Sequence, residues 1–86
     1  MSKIIPELEQ QLKENPNQTF ELIVRTNEDV TPHLEWLASA GFEIRRQYTL
    51  SPGAAVSCLG QDALKLLRQT WVRSVELDAP VHTMGS

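Results

Sequence analysis

The order in which hydrophobic periodicity changes along this sequence is the feature that most constrains its fold. From Thr19 onward, segments with apolar residues at every second position alternate with segments in which they recur at every third or fourth position. These are the periods of a half-buried strand and of an amphipathic helix. The predicted order is strand, helix, strand, strand, helix, strand. Because the chain has 86 residues, it can build one hydrophobic core and therefore one domain.

Turn residues separate the four predicted strands. These strands are 19–26, 42–50, 54–59 and 71–77. In the second strand, strict alternation puts Ile44, Arg46 and Tyr48 on one face, and Arg45 and Thr49 on the other. The small residues of the third strand follow the turn formed by Ser51-Pro52-Gly53.

Capping residues set the boundaries of the predicted helices. Thr31 is expected to be the N-cap of the first crossover helix, and Gly41 its C-terminal stop. The second crossover helix follows Gly60. A further short helix precedes the first strand, because apolar residues recur there at helical spacing. Its apolar positions are Ile5, Leu8 and Leu12, and we expect these side chains to dock on the domain.

Two crossovers that share one antiparallel sheet predict an α+β fold, the ferredoxin-like βαββαβ sandwich. Its four-stranded sheet carries two helices on one face, and the other face is open. The last residues contain Pro80 and no helical or strand pattern, so we expect an extended tail. The single domain therefore divides into a helical extension (1–17), a ferredoxin-like core (19–78) and a tail (79–86).

Composition argues against several classes of function. The net charge is -3, and the eight Lys and Arg residues are scattered, so no basic stripe predicts nucleic-acid binding. No apolar run reaches the roughly 18 residues of a membrane span. His33 and His82 are not at metal-ligand spacing, and no nucleophile motif or cofactor signature is present, so we expect neither enzyme activity nor a cofactor. A single cysteine, Cys58, and the lack of a signal peptide favour the cytoplasm; secretion after removal of a leader is the alternative.

The second half of the chain carries a more specific set of residues. They are Gly41, Ile44 and Tyr48, then Gly53-Ala54-Ala55-Val56, Leu67, the segment Val72-x-x-Val75-Glu76-x-Asp78, and finally His82. In this order and spacing, the chain resembles the propeptide family of subtilisin-type serine proteases, which includes free-standing inhibitors. The resemblance covers roughly residues 20–84.

The resemblance implies an inhibitor that binds a subtilisin-type protease in two ways. The open sheet face would pack on two surface helices of the enzyme, with Glu76 and Asp78 at the N-termini of those helices. Carboxylates suit that position, because helix N-termini present unpaired N–H groups and partial positive charge. The tail would run through the substrate cleft. Its cleft residues would be Val81, His82, Thr83 and Met84, with Met84 before the scissile bond.

Ile23 is the one apolar residue on the polar side of the first strand. We expect it to belong to the sheet face that meets the protease, with Arg45 and Thr49 as its neighbours on the second strand. An ordinary exposed position is the alternative for Ile23.

Other interpretations of the same residues remain open. Glu76 and Asp78 also suit a solvated turn, and the tail also suits a frayed terminus. The chain is alternatively a regulatory or scaffold module that self-associates, or a propeptide excised from a longer protease precursor that assists folding like an intramolecular chaperone. We expect a monomer or a weak homodimer. Gly85 and Ser86 are either a remnant beyond the scissile bond or an addition to the natural chain.

Overall fold

The computed structural model of the protein describes residues 3–78. Within these residues, three α-helices and four strands follow one another, and short 3-10 segments, Thr31–His33 and Leu64–Arg68, extend the second and third helices. The elements are α1 (Pro6–Glu14), β1 (Thr19–Thr26), α2 (Leu34–Ser39), β2 (Glu43–Tyr48), β3 (Gly53–Leu59), α3 (Gly60–Ala63) and β4 (Val72–Leu77).

The strands form one antiparallel sheet in the order β2-β3-β1-β4. β1 pairs with β3 on one side and with β4 on the other, and β2 pairs with β3. The connection from β1 to β2 therefore passes over β3, and the connection from β3 to β4 passes over β1. Each of these connections contains a helix. The prediction of an α+β fold with a four-stranded antiparallel sheet is confirmed.

One face of the sheet carries the core. Leu22 and Val24 of β1 pair with Val56 and Ala54 of β3, and all four side chains are buried. The helices cover this face with further fully buried side chains. These are Leu12 of α1, Leu37 of α2 and Leu66 of the segment after α3. No helix among residues 3–78 has the length and apolar character needed to cross a membrane.

The N-terminal helix belongs to the core. Leu8 and Leu12 are buried as predicted, but Ile5 is 61% exposed and Ile4 is buried in its place. The prediction for Ile5 is wrong because the helix begins at Pro6, and Ile5 is its N-cap with an extended backbone. The end of α1 lies so close to Gly60 that a Cβ there would be 2.5 Å from the carbonyl oxygen of Asn15. A side chain at this position would push α1 away from the domain.

The first crossover helix ends as predicted but begins differently. Gly41 has φ of +99°, a conformation that favours glycine. Its N–H donates to the carbonyl of Ala38, and the next N–H donates to that of Leu37, which is a Schellman motif. At the other end, Thr31 is not the N-cap: Asp29 Oδ1 accepts hydrogen bonds from the Thr31 N–H at 3.0 Å and from Thr31 Oγ1 at 2.8 Å. The bond from the Thr31 N–H is the main reason why the pKa of Asp29 is lowered.

The second strand departs from the predicted alternation. It spans Glu43–Tyr48 rather than 42–50, and its pairing with β3 shifts between Ile44 and Arg46. Ile44 lies opposite Val56 on the core side, whereas Arg46 lies opposite Ala55 on the other side. The prediction that Ile44 and Arg46 share a face is therefore wrong, because Arg45 is an extra residue in a β-bulge.

Candidate interaction face

The sheet face that points away from the helices is the main candidate site, and we call it the open face. The pairing register arranges its side chains in three rows across the strands. The acidic row is Glu43, Ser57 and Glu21; the central row is Arg46, Ala55, Ile23 and Glu76; the basic row is Tyr48, Gly53, Arg25 and Ser74.

The side chains of β3, in the middle of the open face, are small. β3 contributes only Gly53, Ala55 and Ser57 to it, between the longer side chains of β1 and β2. Ile23 is half-buried at the centre of the face, between Ala55 and Glu76.

Glu76 and Asp78 lie at the end of the edge strand β4. Glu76 pairs with Ile23, its side chain is 53% exposed, and its Oε2 lies 3.8 Å from Nε of Arg25. Asp78 follows on the same side by strand alternation, about 7 Å further along. The Asp78 N–H donates to the carbonyl of Glu21 at 2.8 Å. The backbone is therefore attached to β1 up to the residue where the predicted tail begins.

Arginine residues lie at the other end of the open face. The Arg25 guanidinium lies 6.0 Å from the centre of the Tyr48 ring, within cation–π range. The pairing of β1 with β4 shifts between Arg25 and Thr26, which makes Arg73 an extra residue. Arg25 and Arg73 line an open cleft of about 350 Å³ together with Ser51, Ser74 and Glu76.

The other predicted site residues are distributed as follows. Arg45 is the exposed extra residue of the bulge in β2, and Thr49 is exposed in the turn that follows this strand. Arg46 lies on the open face beside Ala55, whereas the alternation had assigned Arg45 and not Arg46 to that face. Val81, His82, Thr83 and Met84 lie outside the described residues.

Sequence reasoning missed several members of the open face. Glu21 and Glu43 are far apart in the chain, and only the strand order places them in one row with Ser57 between them. Arg46 and Arg73 reach this face through bulges. The adjacent arginines Arg45 and Arg46 were the only available signal, and they did not indicate which residue is the extra one.

Two further groups of side chains are structural in character. The Cys58 thiol is buried, and this burial, with a smaller contribution from the Asp62 carboxylate, raises its pKa to about 12. The rings of His33 and Trp71 stack at 4.1 Å, and Trp36 meets Trp71 edge-on at 5.5 Å. These rings pack on one another at the edge of the hydrophobic core. Within residues 3–78, no group of three or more His, Cys, Asp or Glu side chains is placed to hold a metal ion.

No known family model, curated protein or solved structure matches the chain at a significant level. Its function is therefore inferred from the open face, from the end of β4 and from the sequence resemblance.

Proposed function

We propose that this protein inhibits a subtilisin-type serine protease. The open face docks on the enzyme surface, and residues 79–86 occupy the substrate cleft. The protein binds without catalysing a reaction of its own, and it acts in the cytoplasm, where its single buried thiol stays reduced.

The proposal includes a ferredoxin-like fold. In the order β2-β3-β1-β4, both helix-containing connections pass over one strand, so the two split βαβ units interleave. This interleaving supports the assignment. The fold alone carries no function, but it provides the open sheet face that the inhibitor needs.

The observation that carries the proposal is the geometry at the end of β4. Glu76 and Asp78 point to the open side, and the Asp78 N–H is bonded to the carbonyl of Glu21. Two carboxylates about 7 Å apart suit the N-termini of two neighbouring helices, whose axes are about 8–10 Å apart. In this proposal, the tail continues from the anchored backbone of Asp78 into the substrate cleft.

The mechanism is occupancy of the cleft in the manner of a substrate. From Asp78 to Met84 an extended chain spans roughly 20 Å, enough to cross a peptide-binding cleft by strand addition. Met84 fills the primary specificity pocket, since its unbranched apolar side chain adapts to such a slot. If the enzyme cuts after Met84, the cleft residues Val81, His82, Thr83 and Met84 stay attached to the domain. The docked domain holds the remaining tail at an effective concentration of about millimolar.

The first test is inhibition of a commercial subtilisin by the full chain and by a chain that ends at Asp78. We expect the full chain to inhibit and the shortened chain to lose most of its inhibition, while circular dichroism shows that both are folded. The shortened chain keeps every core residue of the described range 3–78, so a loss of inhibition by a folded chain reports the tail. Equal inhibition by both proteins would overturn the cleft mechanism.

Substitutions of Met84 separate an inhibitor from a mere substrate. Met84→Asp should weaken inhibition at least tenfold, about 1.4 kcal/mol, because a carboxylate is desolvated in an apolar pocket. Met84→Phe serves as the control and should inhibit as well as the original chain. Mass spectrometry of the incubated mixture should place the first cut after Met84. A first cut within residues 20–77, or equal tolerance of Asp and Phe, would contradict the proposal.

A further inference from the structure

The charges of the open face are sorted along the strand direction. Glu21 and Glu43 lie in the acidic row, and Asp78 lies beyond the end of β4 beside Glu21. Arg25 lies in the basic row, four positions and about 13 Å further along β1, and Arg73 lines the same cleft. Three carboxylates therefore lie at one end of the face, whereas the other end carries two guanidinium groups that Glu76 of the central row offsets only in part.

A face with this polarity is complementary to itself under one kind of two-fold symmetry. In this symmetry, the two-fold axis lies in the plane of the face and runs across the strands, along the central row. The acidic row of each copy then covers the basic row of the other copy, so the interface contains this contact twice. An axis along the strands would instead place acidic row on acidic row, which is unfavourable. We infer that the open face docks on the open face of a second copy of this chain in the first of these arrangements.

This arrangement makes definite contacts. Glu21 of each copy faces Arg25 of the other, and Asp78 of each copy lies near the cleft lined by Arg73 of the other. Ile23 and Ala55 lie at the axis and meet their own counterparts. Self-association does not require the proposed inhibitory function, but both use the open face, so the dimer must dissociate before this face docks on a protease.

The same arrangement limits the strength of the dimer. Arg46 and Glu76 lie in the central row on the two outer strands, so each meets its own copy across the axis, at the rim of the interface. Four strands about 4.8 Å apart and three rows about 7 Å apart give a face of roughly 400 Å². Two such faces bury about 800 Å², less than the roughly 1,200 Å² of stable interfaces. The dimer is therefore weak, reversible and sensitive to salt.

Sedimentation velocity of the full chain tests the inference. At about 50 mM salt, the dimer fraction should rise as the protein concentration approaches about 1 mM, and it should fall when salt is raised to about 500 mM. A monomer at every concentration would overturn the inference and leave the face to another partner, such as a protease.

A charge swap identifies the surface that pairs. R25E removes both Glu21–Arg25 contacts of the dimer at once. The dimer fraction of this variant should therefore drop to the fraction that the original chain shows at high salt. The double variant E21R/R25E should restore it. Within one chain these positions lie about 13 Å apart, so the rescue cannot come from an internal contact. It also excludes misfolding as the cause of the loss in R25E. A dimer that is unaffected by R25E, or that the swap fails to restore, would contradict the arrangement.

Two matched variants, each of which removes one positive charge, distinguish the two-fold arrangement from non-specific electrostatic attraction between copies. Arg25→Gln and Arg46→Gln each remove one positive charge from the same face. Arg25→Gln should weaken self-association severalfold, whereas Arg46→Gln should leave it unchanged or strengthen it, because it relieves a like-charge contact at the axis. Equal weakening by both would overturn the two-fold arrangement.

Discussion

At the scale of single residues, Cys58 shows how burial sets chemistry. The residue is 4% exposed, and the pKa of its thiol is raised from 9.0 to about 12, first by burial and then by the Asp62 carboxylate. The nucleophile in thiol chemistry is the thiolate. We therefore expect the native protein to resist a thiol reagent such as DTNB at pH 8, and to react when urea unfolds it. Rapid labelling of the native protein would show that the thiol is accessible.

The same pKa predicts how stability depends on alkaline pH. The folded thiol stays protonated above the unfolded pKa of 9.0, so the unfolded state loses its proton first. The contribution of Cys58 to stability is complete below about pH 9 and declines towards pH 12, by up to about 1.4 kcal/mol per pH unit. Urea midpoints of the original chain and of Cys58→Ala should converge over this range. A constant difference between them would contradict the raised pKa.

Glu76 and Asp78 provide a test of protease binding at the scale of individual side chains. Under the proposed function, Glu76→Gln with Asp78→Asn should weaken inhibition by about 1–3 kcal/mol, because charge-assisted bonds at helix ends are lost. The fold should be unchanged, since the pair between Glu76 and Arg25 is exposed and contributes little. The measurement is the inhibition constant.

The control for this pair is Glu7→Gln with Glu35→Gln. It removes the same charge from exposed positions on α1 and α2, away from the open face. If both double variants inhibit equally, then Glu76 and Asp78 belong to a solvated turn.

At the scale of secondary-structure elements, the helices and strands that could be predicted are those with a regular local sequence pattern. β1 spans Thr19–Thr26 as predicted, because its alternation is interrupted only at Ile23 and both of its ends are polar residues. β2 departs from its pattern because a bulge is decided by pairing with β3, which the alternation of one strand does not contain. Gly41 was predictable because its backbone conformation requires glycine. The error in assigning Thr31 as the N-cap could not be foreseen, because the Asp29 carboxylate two residues earlier is a competing hydrogen-bond acceptor.

The N-terminal helix gives the clearest test at this scale. Leu12 is fully buried in the core, whereas Ile5 is 61% exposed at the start of the same helix. We expect Leu12→Ala to lower the free energy of unfolding by about 2–5 kcal/mol and Ile5→Ala to change it by less than about 0.5 kcal/mol. Urea denaturation measures both. Equal, small effects would mean that α1 does not contribute to the core in solution.

At the scale of the whole molecule, long-range pairing creates the candidate site. Glu21, Glu43 and Asp78 come from three different strands or strand ends, and the register alone brings their backbones to one end of the face. Local patterns predicted that a face would be open, and the resemblance pointed to Glu76 and Asp78. The separation of acidic and basic ends was not predictable, because it depends on the strand order and on two bulges.

The central position of β1 has a consequence for how the chain folds during its synthesis. Among the four strands of residues 3–78, β1 is made first, yet its partners are β3 and β4, and β4 is made last. The carbonyl of Lys3, near the start of the chain, accepts a hydrogen bond from the N–H of Val75 within β4. Contacts of such high sequence separation form slowly, because the intervening loop must close first. On the ribosome, β1 therefore stays without one of its partners until β4 has emerged, and this domain completes its fold only after the polypeptide is synthesised through residue 77.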